Sequence, residues 1–261
     1  MKSASSRRGL KTPDGLDQVY GVHALQSLLD RGEAPRELWV QQGAGSRLKE
    51  LVSHAQAQGA KVKEQPRDLL DQLTQGAAHQ GVVAFCPPLT PEGEESLWLK
   101  LRAWPSSTPP LLLILDGVTD VHNFGACLRS ADAAGAHGVI VAKDKAAPLN
   151  ATVRKVSCGA AEVVPVYQVT NLARTLAKLK DAGVWITGTA GEAEASVFDI
   201  DMTGPTALVM GAEGKGMRRL TREACDNLAK LPMAGEVSSL NVSVATGICL
   251  FEAVRQRQLA S

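Results

Sequence analysis

The chain has 261 residues, 44% of them hydrophobic and 21% charged. This is an ordinary globular composition that excludes wholesale disorder and fibrous architecture, and the length suits two modest domains. Twenty-eight Lys and Arg against 27 Asp and Glu leave a net charge of +1, so no whole-protein field selects a polyanion and any affinity for nucleic acid must come from local patches.

Residues 1–16 hold Lys2, Arg7, Arg8 and Lys11 against Asp14 without an apolar period, and read as a basic flexible tail rather than a secretory signal. From Tyr20 the pattern alternates. Val22, Leu25, Leu28 and Leu29 share a helical face, and Leu38–Val40 is a short strand. Leu48, Leu51, Val52 and Ala55 mark a second helix that Gly59 stops, with a strand at 60–62. Pro66 opens a helix through Leu69, Leu70 and Leu73, and residues 81–86 form an apolar strand. Residues 17–87 are therefore expected to be one small α/β domain. Six prolines from Pro87 to Pro110 and the cluster Glu92, Glu94, Glu95 make 88–109 a linker, within which Leu97, Trp98, Leu101 and Trp104 have the spacing of a short docking helix.

Over 110–261 strands are expected near 111–115, 138–142, 163–167, 184–187, 206–210 and 228–231. Helices fit between them at 123–134, 150–157, 171–182 and 217–225, and a last one at 239–257. Such alternation implies a parallel sheet covered on both faces. In that architecture ligands bind beyond the carboxyl ends of the strands. No run reaches membrane-spanning length, since even the apolar stretch 111–115 ends at Asp116. Cys86, Cys127, Cys158, Cys225 and Cys249 form no CxxC pair, and His23, His54, His79, His122 and His137 have no ligand spacing, so no metal is expected. These features point to a soluble cytoplasmic protein.

Three segments after strand ends depart from ordinary connectors. In 115–136 Asp116-Gly117 closes a strand, Asn123 stands where a helix cap would, and Arg129 follows two turns on; a cap and a surface ion-pair partner are the plain alternatives. In 208–217 three glycines surround Glu213. Glycines let a ligand approach the backbone, but the spacing is two residues short of a Walker loop and lacks the third glycine of a dinucleotide fingerprint. Glu213 is equally suited to capping the next helix. In 231–253 Ser238, Ser239 and Asn241 precede a helix with Leu240, Val244, Ile248 and Phe251 on one side and Val242, Ala245 and Cys249 on the other. Serines there are ordinarily caps, and a helix apolar on both sides is either central in its domain or buried against a second subunit.

Taken in this order, Asn123 and Arg129, then Gly211-Ala212-Glu213-Gly214, then Pro232-Met233 with Ser238–Ser243, resemble the signature motifs of the SpoU (TrmH-like) RNA ribose 2′-O-methyltransferases of the SPOUT superfamily. The resemblance covers 111–257. The first domain, with YGVHAL at its start and HQGVVAF near its end, is similar to the L30e-like substrate-binding module that precedes SpoU domains in bacterial rRNA enzymes. The resemblance implies an α/β trefoil-knot parallel-sheet domain, S-adenosylmethionine as cofactor, a guanosine ribose of 23S rRNA or of a pre-ribosomal particle as substrate, and a homodimer through the knotted domain. It further implies that Arg129 is the central catalytic group, assisted by Asn123, Glu213, Ser239 and Asn241. It implies too that Thr187, Gly188, Gly211, Leu231, Met233 and Leu240 line the cofactor. A tRNA or other rRNA target within the family, or a non-catalytic RNA-binding scaffold, are the alternatives.

Overall fold

A computed structural model describes residues 13–105 and 107–260. Most of the expected basic tail, residues 1–12, lies outside the described residues. The chain separates into two units, Met1–Leu89 and Thr90–Ser261.

The first unit runs β1 (Asp17–Tyr20), α1 (Val22–Asp30), β2 (Glu37–Gln41), α2 (Ser46–Ala57), β3 (Lys61–Gln65), α3 (Arg67–Leu73) and β4 (Val82–Cys86). Its sheet has the order β1-β4-β2-β3, antiparallel except between β2 and β3. One face buries Leu38, Val40, Val82 and Ala84 under Leu25, Leu28 and Leu29 of α1 and Leu48, Leu51 and Ala55 of α2. The other packs Trp39, Val83 and Phe85 under Leu70 of α3. β4 is buried throughout because both faces are covered, which is why its sequence is continuously apolar. β1 escapes pattern reading: only Val19 of its four residues is buried, and the ladder to β4 makes it a strand.

The second unit runs β5 (Glu92–Gly93), α4 (Glu94–Arg102), β6 (Leu111–Asp116), α5 (Val121–Ala133), β7 (Gly138–Ala142), α6 (Ala151–Val156), α7 (Ala160–Val163), β8 (Val166–Val169), α8 (Leu172–Asp181), β9 (Trp185–Thr189), β10 (Ala195–Ser196), β11 (Thr206–Gly211), α9 (Arg219–Glu223), β12 (Asn227–Lys230) and α10 (Val242–Ala260). Eight strands in the order β10-β12-β9-β11-β6-β7-β8-β5 pair in parallel throughout. Leu97 of α4 and Leu172, Leu176 and Leu179 of α8 pack with Leu112, Ile114, Ile140 and Val209 of the sheet. α10 packs on α5, which also meets α6 and α7.

Two expectations change here. The stretch 88–109 is not linker throughout, because β5 adds to the sheet edge beside β8 and α4 buries Leu97 in the core of the second unit. Prolines bound the segment, while the apolar spacing inside it decides its fate. Glu94 and Glu95 in the first turn of α4, and Lys100 and Arg102 in its last, also suit the helix dipole. Val163, placed by pattern in a strand, closes the short helix α7 instead.

Candidate active site

Asp116 at the end of β6 registers with Gly211 at the end of β11, so the loops that follow leave the sheet side by side. After β6, Asp120 caps α5 by accepting the amide of Asn123 at 2.7 Å. Asp120, not Asn123, is therefore the cap. The carboxamide of Asn123 is released from capping and reaches across the strand ends.

After β11 the chain folds back on itself, with Ala212 N–H donating to Gly216 O at 3.2 Å and Gly216 N–H to Ala212 O at 2.8 Å. A Cβ on Gly211 would stand 2.3 Å from the amide nitrogen of Met217, so this hairpin closes only on a residue without a side chain. Glu213 lies inside the hairpin and points to the other two segments. Its Oε1 accepts Asn123 Nδ2 at 3.2 Å, Asn241 Nδ2 at 2.7 Å and the amide of Val242 at 3.3 Å. Asn241 Nδ2 also donates to Asn123 Oδ1 at 2.9 Å. The expected role of Glu213 as a cap is thus met in an unexpected place, at the first residue of α10 rather than on the following α9.

The start of that helix differs from expectation. Asn241 Oδ1 accepts both the amide of Ser243 at 2.9 Å and its hydroxyl at 2.6 Å, so Asn241 and not Ser238 or Ser239 caps α10. The helix accordingly starts at Val242 and not at 239. Deeper along the α5–α10 contact, Cys127 Sγ lies 3.5 Å from Thr246 Oγ1. Burial pushes the Cys127 thiol up to about 11 and that of Cys249 to about 12, so both are neutral thiols at physiological pH and serve packing, not nucleophilic chemistry.

Arg129 and Ser239 do not join this triangle. Both are exposed, and neither side chain makes a hydrogen bond or ion pair among the described residues. The surface ion pair weighed for Arg129 is therefore not formed, and its five donors face outward from α5.

The remaining expected residues lie on β9 and on the stretch between β12 and α10. Thr187 and Gly188 of β9 pair with Leu208 and Val209 of β11 and with Asn227 and Leu228 of β12. Thr189 Oγ1 donates to Val209 O at 3.2 Å. Gly188 faces Met217 and Cys225. Leu231, Met233 and Leu240 lie on the irregular stretch from β12 to α10, with Leu231 and Leu240 half-buried and Met233 exposed. Pattern reading missed Asp120 as the cap and the Val242 amide as a donor, since neither follows from spacing.

The family model of the SpoU rRNA methylases matches residues 110–251, and that of the RNA 2′-O-ribose methyltransferase substrate-binding domain matches 18–92. The chain is 57% identical to the 23S rRNA (guanosine-2′-O-)-methyltransferase RlmB of Pseudomonas putida, over 94% of this chain and 98% of that one. It is 56% identical to RlmB of Escherichia coli, over 92% and 99%. Among solved structures, the SpoU methyltransferase AviRb of Streptomyces viridochromogenes in complex with AdoMet superposes with a TM-score of 0.76 at 28% identity, over 94% of this chain and 92% of that one. With both of its units matched in order, the chain belongs to the SpoU rRNA methylase family.

Proposed function

We propose that the protein transfers a methyl group from S-adenosylmethionine to the ribose 2′-hydroxyl of a guanosine in 23S rRNA. The observation that carries this reading is the Asn123–Glu213–Asn241 triangle, which draws three distant segments together over the strand ends. The identity to RlmB enzymes across nearly the whole chain supports the substrate.

The residues beside the triangle suit an adenosyl group. The amides and carbonyls of 232–240 make no backbone hydrogen bond among the described residues, so they are available to an adenine edge. Leu231, Met233 and Leu240 supply apolar surface for its ring, and Thr187, Gly188 and Gly211 complete the crevice. Bound there, S-adenosylmethionine supplies an electrophilic methyl on a sulfonium sulfur. Gly211→Ala is expected to weaken cofactor binding by more than about tenfold, because its Cβ collides with backbone rather than with a side chain that can move. Calorimetric titration with S-adenosylmethionine measures this directly.

Arg129 holds the ribose and its phosphate and stabilises the alkoxide that develops as the 2′-hydroxyl loses its proton. Its guanidinium stays protonated in proteins, so it acts as a donor fork and not as a base. Asn123, Glu213 and Asn241 hold the three segments together beside it, and Ser239 is assigned to the ribose. The first unit and the basic tail bind the RNA, either free 23S rRNA or a pre-ribosomal particle, in the cytoplasm.

The active form is a homodimer through the second unit. α10 leaves Val244, Ile248 and Phe251 at 51%, 37% and 49% exposure, a stripe that a second copy would cover. Ile248→Asp with Phe251→Asp is expected to give monomers at micromolar concentration and to abolish methyl transfer, since each side chain forfeits about 1.5–3 kcal/mol of burial. Light scattering reads the mass, and a fully active monomer would overturn the dimer. The trefoil knot of the family is supported by the strand order. The chain reaches β12, second from the sheet edge, and then returns to pack α10 on α5, with Arg257 of α10 donating to the carbonyls of Pro109, Pro110, Met202 and Gly204 before β6 and β11.

The test of the reaction is incubation of purified protein with labelled S-adenosylmethionine and 23S rRNA, followed by alkaline hydrolysis. A 2′-O-methyl group blocks cleavage of the adjacent phosphodiester, so label in an alkali-stable dinucleotide that begins with guanosine is expected. Label on a base would overturn the ribose reading, and no label with the cofactor bound would leave a non-catalytic scaffold.

A further inference from the structure

Asp116 is fully buried at the end of β6, yet it is a carboxylate. Its Oδ2 accepts the amide of Arg218 at 2.7 Å, and its Oδ1 is ion-paired with Arg218 Nε at 3.2 Å. The same guanidinium extends Nη2 to the carbonyl of Asp144, in the loop after β7, at 3.4 Å. One arginine thereby ties the ends of β6 and β7 to the residue that closes the hairpin after β11. The strands do not depend on this contact for pairing, because β6 is already laddered to β11 and to β7 along its length. The contact acts instead on the hairpin 211–218, whose Glu213 organises Asn123 and Asn241.

We infer that Asp116 and Arg218 are positioning residues, a clasp that holds the glycine hairpin in the geometry that grips the cofactor. The inference rests on the proposed methyl transfer for its consequence, but the clasp itself is a property of the loop. A buried carboxylate without a partner is strongly unfavourable, so Asp116 keeps Arg218 in place. The forked guanidinium then reaches two loops at once, which an ammonium on a flexible stem does not do.

The test compares wild type with Arg218→Lys, Asp116→Asn and the charge-free pair Asp116→Asn/Arg218→Gln, which stays informative where a single change fails to fold. Amide hydrogen exchange across 211–218, without cofactor, is expected to accelerate about tenfold or more in each variant while β6 and β7 keep their protection. The dissociation constant for S-adenosylmethionine is expected to rise by about tenfold or more, in line with loss of one partner of an ion pair whose carboxylate is buried. The double variant should be no worse than the single ones, as for two halves of one contact. Unchanged exchange over 211–218 in a folded variant, or a cofactor dissociation constant within about twofold of wild type, would overturn the clasp. Wild-type protein that fails to bind S-adenosylmethionine would count against the proposed function alone, and the exchange result would still decide the clasp.

Discussion

Arg129→Lys is expected to lower the rate of methyl transfer by about a hundredfold or more with cofactor affinity unchanged, since removing one group that stabilises a developing oxyanion costs roughly 10²–10³ in rate. The substitution preserves the positive charge, so a smaller loss would mean that charge alone suffices. A larger one assigns the effect to the planar fork, which holds two oxygens at fixed spacing where an ammonium holds one at variable spacing. The position favours the second outcome: Arg129 is exposed on α5 and its side chain makes no hydrogen bond or ion pair among the described residues. Its replacement breaks no internal contact that would confuse the result with misfolding. Single-turnover methylation of saturating rRNA, alongside calorimetric titration of the cofactor, separates the chemical step from binding. Turnover like that of wild type, with normal cofactor binding, would remove Arg129 from the mechanism.

The same residues show what a sequence does and does not disclose. The run Leu111–Asp116 is legible as a central strand because a parallel sheet covered on both faces demands unbroken apolarity, and all six residues are buried. The last helix is legible as apolar on both sides, and the structure divides those sides between α5 and the exposed stripe at Val244, Ile248 and Phe251. Its first turn is not legible, because the cap is decided by which side chain meets the Ser243 amide, a matter of geometry among several suitable residues. The two-residue strands β5 and β10 exist only through their ladders to β8 and β12, and carry no periodicity of their own. Asn123, Glu213 and Asn241 are separated by 90 and 28 residues. No period links them, and only the order of the three motifs suggested that they act together. Arg154 and Glu162 reveal least, since charges eight residues apart ordinarily mark a solvated face.

Those two residues give the largest effect on stability. The side chains of Arg154 on α6 and Glu162 on α7 are 3% and 1% exposed and form an ion pair through Nε and Oε1. The pair sits behind α5, which approaches α6 so closely that a Cβ on Gly125 would lie 2.7 Å from Val156 Cβ. Glu162→Leu leaves a guanidinium buried without its carboxylate and is expected to destabilise the second unit by about 3–5 kcal/mol. The double change Arg154→Met/Glu162→Leu removes both charges and replaces them with apolar volume, so it is expected to recover most of that loss. Urea denaturation of wild type, single and double variants measures the difference, and the sign of the coupling between the two changes is the result that matters. Equal losses in the single and double variants would show that packing of the two stems, not the charge on Arg154, sets the stability of the layer on which α5 rests. Because α5 carries both Asn123 and Arg129, recovery of stability in the double variant should bring recovery of methyl transfer with it, whereas a stable but inactive double variant would show that the ion pair also fixes how α5 presents those residues.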